Sequence, residues 1–380
     1  MNKTNLIIAL SLIWLSFSYG QQKDTIYGKV KTIREKVEFL TEKENPQFLY
    51  YHDYGHSGFM GPESTISRFK STWYSTHFCS YINYERHFNN KGKITEDIWF
   101  TKKDSFMDSY KYRYDKKDRL VRKIDSSKYA VGTEIHYYTN DYNENIIYEH
   151  FEYDIFSYKY KRFDKEGKLV RLKSHDDYGN TDEYIYKYNA DGKLLFRIYK
   201  NPNSWRKSGE RSWSYGVQDS IGNIYKDLVN KYDEKNRLIQ RQRFDLYEDD
   251  ENHKDPKLVE NTFFQYDENN NIILTKRING YIKVKPTFNH SEYDKKNRLI
   301  KRYCCSEKES DAKRIEKYDY NGDEITSLEY TEESWPSKEM KKYQVDFEYK
   351  YDDKGNWNEI IKKVDGKELY KWTRQLEYYK

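Results

Sequence analysis

Large apolar and aromatic residues alternate with charged residues through much of the chain. The segments 110–114 (YKYRY), 183–188 (EYIYKY) and 347–351 (FEYKY) carry an aromatic residue at every second position or nearly so. A period of two puts these side chains on one face of a β-strand, and aromatic and β-branched residues favour strands. The pattern therefore predicts an all-β protein in which each strand has an aromatic face and a charged face.

A short repeat follows many of these strands. It reads aromatic, then Asp or Asn, then two variable residues, then Gly, Asn or Asp, with a large apolar residue two positions later in most copies. Asp or Asn at the first turn position hydrogen-bonds to nearby backbone, and Gly or Asn tolerates the positive φ needed later in the turn. The nine copies begin at Phe88, Tyr114, Phe163, Tyr188, Tyr232, Tyr266, Tyr293, Tyr318 and Tyr351.

This chemistry predicts a type I turn with a bulge, which closes an antiparallel hairpin. The first turn residues of successive copies are 25 residues apart between Asp164 and Asn189, and 27 apart between Asp267 and Asp294. Such a spacing accommodates two strands, one fixed turn and one variable loop, so we expect a long antiparallel β-meander of roughly twenty strands, forming a curled or open sheet. The predicted turn residues are Asp115, Gly167, Gly192, Asp233, Asp267, Asp294, Gly322 and Gly355.

The repeats also carry a family resemblance. The copies YDKKDRL, FDKEGKL, YNADGKL and YDEKNRL, which begin at Tyr114, Phe163, Tyr188 and Tyr232, resemble the YD repeats of the RHS family of bacterial exported and cell-surface proteins. The resemblance covers residues 88–380. It implies a long β-sheet that curls, and in the large members of that family the sheet forms a hollow shell around a toxin domain.

The N-terminal residues resemble a secretory signal peptide. Lys3 supplies a positive charge, an uncharged apolar run follows from Leu6 to Leu15, and small residues at Ser18 and Gly20 place a cleavage site before Gln21. The alternative is an N-terminal membrane anchor, although the run is shorter than the roughly 20 apolar residues that a spanning helix needs. We therefore predict a signal peptide at 1–20 and an exported protein that is periplasmic, outer-surface or secreted.

Residues 21–87 lack the repeat and are expected to form a small N-terminal cap that protects the first edge of the sheet formed by residues 88–380. Within it, Val30 to Phe39 alternates loosely and is compatible with a strand or a short helix. Residues 45–62 contain Gly, Tyr and Pro and are typical of a loop.

Composition changes this picture in one respect, because it explains how so polar a chain can fold. Apolar residues make up only 36% and charged residues 34%, with a mean hydropathy of −1.16. Disordered chains are poor in aromatics, whereas this chain has 41 Tyr, 18 Phe and 8 Trp. Tyrosine rings can be buried while their hydroxyls stay hydrated. The net charge of +5 arises from interleaved Lys, Arg, Asp and Glu, which indicates a solvated surface and argues against nucleic-acid binding.

The chain has three cysteines, Cys79, Cys304 and Cys305. Cys79 could form a disulfide with one of the pair and leave an odd thiol. A disulfide between adjacent residues is disfavoured by the usual Cα separations, and a metal site would need better-spaced ligands. A chance occurrence of the three residues is therefore favoured.

Three tryptophans in or beside the variable loops are the candidate binding residues: Trp205, Trp213 and Trp335. Aromatic side chains suit sugar rings, peptides and the apolar surfaces of partner proteins. For any single tyrosine, a structural role in holding a thin sheet together is favoured over ligand binding. The sequence thus indicates a binding or structural module of the cell envelope or exterior, with a glycan, a peptide or an envelope protein as the partner.

The alternative is a metal- or carboxylate-dependent hydrolase with its site in the N-terminal cap. His52 and His56 are four residues apart, with His77 or His87 as a third ligand, but the glycines beside them favour ordinary loop histidines. A zinc hydrolase would also want a Glu beside the first His, where Asp53 stands. No nucleophile elbow, phosphate loop or dinucleotide fingerprint occurs, so we expect no enzymatic activity and no cofactor.

Overall fold

The computed structural model describes residues 26–41, 61–127, 133–141, 146–153, 155–175, 181–201, 223–245, 256–280 and 284–380. One α-helix, α1, spans Pro62–Ser75, and a short 3-10 helix spans Glu309–Asp311. The strands are β1 (Val30–Phe39), β2 (Asn83–Phe88), β3 (Ile94–Phe100), β4 (Phe106–Tyr114), β5 (Leu120–Ser127), β6 (Thr133–Asp141), β7 (Ile146–Tyr153), β8 (Ile155–Phe163), β9 (Leu169–His175), β10 (Thr181–Tyr188), β11 (Leu194–Asn201), β12 (Asn223–Tyr232), β13 (Leu238–Asp245), β14 (Lys257–Tyr266), β15 (Ile272–Asn279), β16 (Thr287–Tyr293), β17 (Leu299–Cys304), β18 (Arg314–Asn321), β19 (Glu324–Glu333), β20 (Met340–Tyr351), β21 (Trp357–Val364) and β22 (Lys367–Tyr378).

These strands form one antiparallel meander. From β2 onward, each strand pairs with the strand that follows it in the chain, through to β22. The all-β meander prediction is confirmed, with 22 strands in the described residues. β1, which the sequence left open between strand and helix, is a strand that pairs with β2 on one side and with β22 on the other. The first and last repeat strands are therefore both hydrogen-bonded to β1.

The turns show why Asp recurs after the aromatic residue. In the turn after β4, the Asp115 amide donates to the Arg119 carbonyl at 3.0 Å, and the Asp118 amide donates to the Asp115 carbonyl at 3.0 Å. The Asp115 carboxylate accepts bonds from the amides of Lys117 and Arg119, at 2.8 and 3.0 Å. Asp118 has a φ of +59°, the conformation that Gly takes in the copies such as Gly167, at +81°. The Asp oxygen thus satisfies amides that the tight turn would otherwise leave without partners.

Tyrosine hydroxyls connect successive hairpins. The Tyr266 hydroxyl donates to the carbonyl of Leu238 at 2.8 Å, so the aromatic residue of one copy bonds the apolar residue of the copy before it. The same bond recurs in four other copies, with hydroxyl–carbonyl distances of 2.7 to 3.4 Å: Tyr114 to Ile94, Tyr188 to Leu169, Tyr232 to Leu194 and Tyr293 to Ile272. Near the last two copies a tyrosine two residues away from the repeat aromatic makes the equivalent bond, Tyr320 to Leu299 at 2.7 Å and Tyr349 to Ile325 at 2.8 Å. The rings are partly buried between hairpins while each hydroxyl satisfies a backbone carbonyl.

The copy that begins at Tyr318 does not form the same turn. Asp319 lies in β18 opposite Ser327, and Asn321 pairs directly with Glu324. The reversal is made by Gly322 and Asp323 alone, with Gly322 at a φ of +60°. Gly322 therefore occupies a tighter turn than the one predicted from the alignment of the copies, because the apolar residue is displaced by one position in this copy.

The described part of residues 21–87 contains β1, α1 and most of β2, so the predicted boundary before residue 88 falls inside β2, one residue before its end. α1 begins at Pro62, a residue suited to the first helical turn. Its residues Phe69 and Trp73 are one helical turn apart and both are buried. Their rings lie 4.7 and 5.4 Å from that of Trp372 on β22, which places the helix against the sheet.

Lys362 on β21 fixes the end of this helix. Its ammonium group is buried and donates to the carbonyls of Thr72, Trp73 and Phe78, at 3.2, 2.6 and 2.7 Å. A cation at the C-terminus of a helix satisfies carbonyls that lack intrahelical partners and is favoured by the helix dipole. Burial lowers the pKa of Lys362 to about 7. Among the described residues, no helix has the length and apolar character needed to cross a membrane.

Candidate functional site

A groove of about 370 Å³ lies where β17 ends, β18 begins and β19 runs into its following loop. The residues around it combine two ring side chains, a disulfide and four charged side chains. They are Cys304, Cys305, Lys313, Arg314, Tyr330, Glu332, Glu333 and Trp335.

The loop after β19 presents Trp335 to solvent. The Ser334 amide donates to the Glu339 carbonyl at 2.8 Å, and the Lys338 amide donates to the Ser334 carbonyl at 2.6 Å. Lys338 has a φ of +61°, and the bond between Trp335 and Pro336 is cis. This tight loop leaves Trp335 90% exposed. The indole therefore stands on the rim of the groove.

The opposite part of the groove is formed by a disulfide between Cys304 and Cys305. The expectation that the adjacent cysteines stay unbonded is wrong. The strand ends at Cys304, so the side chain of Cys305 does not have to point to the opposite face. Cys305 leaves the strand with a φ of +78°, and its amide donates to the Phe288 carbonyl at 2.7 Å. In a continuing strand the two side chains would point to opposite faces. Cys79, the third cysteine, is a buried free thiol whose pKa is raised to about 12 by burial.

Tyr330 and Glu332 connect the groove to the helix region. Tyr330 is buried, and its hydroxyl donates to Glu332 Oε2 at 2.6 Å. The imidazole of His77, just after α1, lies 5.5 Å from the Tyr330 ring and stacks on Tyr343 at 3.9 Å. His77 Nδ1 is 3.7 Å from Glu332 Oε1, but burial lowers the pKa of His77, which favours the neutral imidazole. The rings of His77 and Tyr343 thus hold Tyr330, which lines the groove, in place.

The charges of the groove are balanced. Lys313 Nζ lies 3.3 Å from Glu333 Oε2, and Arg314 Nε lies 3.2 Å from Glu316 Oε1. Both signs are thus present at the rim. The Lys313–Glu333 pair is partly exposed and contributes little to stability, whereas Glu316 is buried and does not line the groove. The groove offers the exposed ring of Trp335, a disulfide and polar groups of either sign, which suits binding to a ring-bearing ligand better than binding to a highly charged one.

Of the predicted binding tryptophans, Trp335 lies in this groove, whereas Trp205 and Trp213 lie outside the described residues. His52 and His56 also lie outside them. In the part of the chain that the structure describes, no group of three or more His, Cys, Asp and Glu side chains could hold a metal ion. Sequence reasoning missed the disulfide and Tyr330; the adjacent cysteines were a signal for the disulfide, but only if the strand was known to end there.

One pair of carboxyl groups stands apart from the groove. Burial and the neighbouring Asp125 raise the pKa of Asp108 to about 7. Asp108 lies on β4 beside Tyr110, whose register partner on β5 is Asp125. The Tyr110 hydroxyl donates to Asp108 Oδ2 at 3.3 Å. The two carboxyls therefore sit on a packed sheet face.

Comparison with known proteins gives only distant likenesses. No protein-family model matches the sequence, and no curated protein is similar to it. A crystal structure of TcdB2-TccC3-TEV is similar at 10% identity with a TM-score of 0.36, over 76% of this chain and 16% of that one. The Photorhabdus luminescens Tc holotoxin pore is similar at 11% identity with a TM-score of 0.26, over 76% of this chain and 19% of that one. A porin-like protein from Bacteroides uniformis is similar at 8% identity with a TM-score of 0.25, over 93% of this chain and all of that one. At these TM-scores neither a family nor a function passes from these proteins to this chain, and the resemblance of its repeats to the RHS family stays a prediction from the sequence.

Proposed function

We propose that this protein is an exported binding module of the cell envelope or exterior, and that the groove beside Trp335 binds its partner. The repeats act as the scaffold, and the irregular loop after β19 supplies the recognition surface. The ligand is a molecule with an exposed ring, such as a glycan or an aromatic side chain of an envelope protein or peptide.

The exposure of Trp335 carries this proposal. Burial of a large apolar side chain stabilises a protein by about 1.5–3 kcal/mol, and Trp335 forgoes that contribution at 90% exposure. The other four described tryptophans, Trp73, Trp99, Trp357 and Trp372, are at most 5% exposed. An exposed tryptophan on the rim of a groove has the character of a binding anchor, since tryptophan dominates the energetics of many interfaces.

The pairing of the strands supports recognition through side chains. Each described strand pairs with two others, so a partner that extends the sheet by adding a strand has little free backbone to use. Loops that project from a rigid scaffold are the usual alternative site of recognition. The loop of Trp335 is such a projection.

Capture experiments with the mature chain, residues 21–380, test the proposal. The immobilised chain is exposed to a glycan array and, separately, to solubilised envelope fractions. Trp335→Ala should reduce capture by about 30-fold, because loss of an anchor residue costs about 2 kcal/mol or more. The matched control is Phe106→Ala, which removes a 42% exposed aromatic residue on β4 and should leave capture unchanged.

Equal capture by the Trp335→Ala variant and the unaltered chain would show that the groove is not the binding site, provided that circular dichroism finds both proteins folded. The predicted export is tested separately, by N-terminal sequencing of the protein recovered from the periplasm or the medium. A mature N-terminus at Gln21 is expected, and an unprocessed Met1 would contradict it.

A further inference from the structure

We propose that Cys304 and Cys305 form a thiol–disulfide switch that sets the shape of the groove, with the disulfide holding the binding form. Reduction by a dithiol releases the wall that contains Cys305 and weakens binding. This inference rests on the proposed function of the groove, whereas the structural change it predicts does not depend on any ligand.

The two cysteine residues differ in exposure in the way that such a switch requires. Cys305 is exposed at the groove, whereas Cys304 is 5% exposed at the end of β17. A dithiol can therefore reach the disulfide from the side of Cys305 and at the same position as the ligand. Cys79 is buried, and its high pKa leaves almost no thiolate to compete in exchange.

The exchange reaction balances without a further reactant. A thiolate of the dithiol attacks Sγ of Cys305, forms a mixed disulfide and displaces the Cys304 thiolate, which takes up a proton. The second thiol of the reductant then attacks the reductant sulfur that is bonded to Cys305, and Cys305 is released as a thiol. Two electrons and two protons pass from the dithiol to the cysteine pair, and the reductant leaves as a disulfide.

The backbone around the pair couples this reaction to the groove. Cys305 has a φ of +78°, a region that residues other than glycine seldom occupy, and the disulfide ties its side chain to that of Cys304. After reduction the covalent tie is gone, and Cys305 is free to return to a more common conformation. We therefore expect the segment that starts at Cys305 to move when the pair is reduced.

The segment that starts at Cys305 leads back to the groove within ten residues. It runs through Glu309–Asp311 and reaches Lys313, whose amide donates to the Cys304 carbonyl at 3.2 Å. Lys313 and the next residue, Arg314, both line the groove. A change at Cys305 thus shifts two walls of the same groove while Trp335, on a separate loop, stays in place.

The first arm of the test establishes the bond. The mature chain contains three cysteines, so iodoacetamide in denaturant should label only Cys79 before reduction and all three after treatment with dithiothreitol, as read by intact mass. Labelling of three cysteines in the untreated protein would overturn the proposal.

The second arm measures hydrogen–deuterium exchange of the native protein with and without dithiothreitol. The amides of Cys305 and Lys313 should exchange at least about tenfold faster after reduction, because the segment opens locally. Peptides from β14 and β15 should not change and serve as the control. A double variant, Cys304→Ser with Cys305→Ser, should reproduce the reduced pattern. Unchanged exchange at both amides would overturn the switch.

The third arm repeats the capture of a glycan array and envelope fractions with oxidised and reduced protein. Capture that depends on Trp335 should fall at least about fivefold on reduction, the lower end of the coupling usually found between two sites. If exchange responds to reduction but capture never depends on Trp335, the proposed function fails and the structural switch stands. If capture depends on Trp335 but not on the redox state, the switch is wrong and the proposed function stands.

Discussion

The ion pair between Glu35 and Arg374 provides a quantitative test of the way in which the two ends of the meander are joined. Glu35 lies on β1 directly opposite Arg374 on β22. The two side chains are each 2% exposed, and both guanidinium nitrogens Nε and Nη2 lie 2.6 Å from Glu35 Oε1. The second carboxylate oxygen, Oε2, accepts the Tyr84 hydroxyl at 2.9 Å. Glu35→Met therefore leaves a buried guanidinium without its carboxylate, and Arg374→Met leaves a buried carboxylate without its cation.

Removal of one partner of a buried pair costs about 3–5 kcal/mol, whereas replacement of both by apolar residues of similar size is often close to neutral. We expect each single variant to lose about 3–5 kcal/mol of the free energy of unfolding. The double variant should lose no more than about 2 kcal/mol, which is at least about 4 kcal/mol less than the sum of the two single losses. Urea unfolding followed by tryptophan fluorescence measures all four proteins.

The pair Lys371 and Glu38, on the same two strands, is the matched control. Its Nζ–Oε2 distance is 2.6 Å, but the side chains are 28% and 42% exposed. Single variants of this pair, to Met, should cost less than about 1 kcal/mol. A coupling energy below about 0.5 kcal/mol between Glu35 and Arg374 would refute the assignment of a buried bond between β1 and β22.

Three further outcomes follow from single groups. Tyr266→Phe removes the hydroxyl that bonds the Leu238 carbonyl and should lower the free energy of unfolding by about 1 kcal/mol. An unchanged free energy in urea unfolding would contradict a stabilising role for the hydroxyl–carbonyl bonds between hairpins. The pKa of Lys362 is about 7 in the folded protein, below its ordinary value of 10.5. Between these two pH values the unfolded chain therefore binds more protons than the folded protein. Stability should therefore rise from pH 7 towards pH 10, and Lys362→Met should abolish that rise; a rise of the same size in the variant would assign it to other groups. The pKa of Asp108 is raised from 3.8 to about 7 by burial and by Asp125, so its contribution to stability should be lost as the pH rises from 4 through 7. Asp108→Asn should flatten this part of the pH–stability curve, and an unchanged slope would contradict the assignment.

The features that sequence reasoning predicted are local ones. Alternation and turn chemistry act over a few residues, so the strands and the hairpin turns could be derived from segments such as 114–120 alone. The carbonyl partner of each tyrosine hydroxyl could not be derived in this way, because it lies in a different hairpin. The Leu238 carbonyl, for example, belongs to the hairpin before that of Tyr266. The pairing of β1 with β22 was also out of reach, since Glu35 and Arg374 are 339 residues apart and no local pattern encodes their contact.

The candidate site was predictable in part. Trp335 stood out because it lies beside a proline in a variable loop, where no strand face requires an aromatic residue. The disulfide beside it could not be predicted, because its geometry depends on a strand end and on the positive φ of Cys305. Lys362 was likewise hidden, since a lysine in an alternating strand reads as an exposed residue until the helix that covers it is placed.

Site-specific photo-crosslinking tests the central claim, that the groove beside Trp335 is the binding site, most directly. The photoreactive residue p-benzoylphenylalanine is placed at Met340, which is 46% exposed just after the Trp335 loop, and in a second protein at Ile224 on β12, which is 65% exposed. Irradiation with solubilised envelope material or bound glycan should give a crosslinked product from position 340 that disappears when Trp335→Ala is added, and none from position 224. Equal products from both positions, or a product at position 340 that persists in Trp335→Ala, would contradict the account.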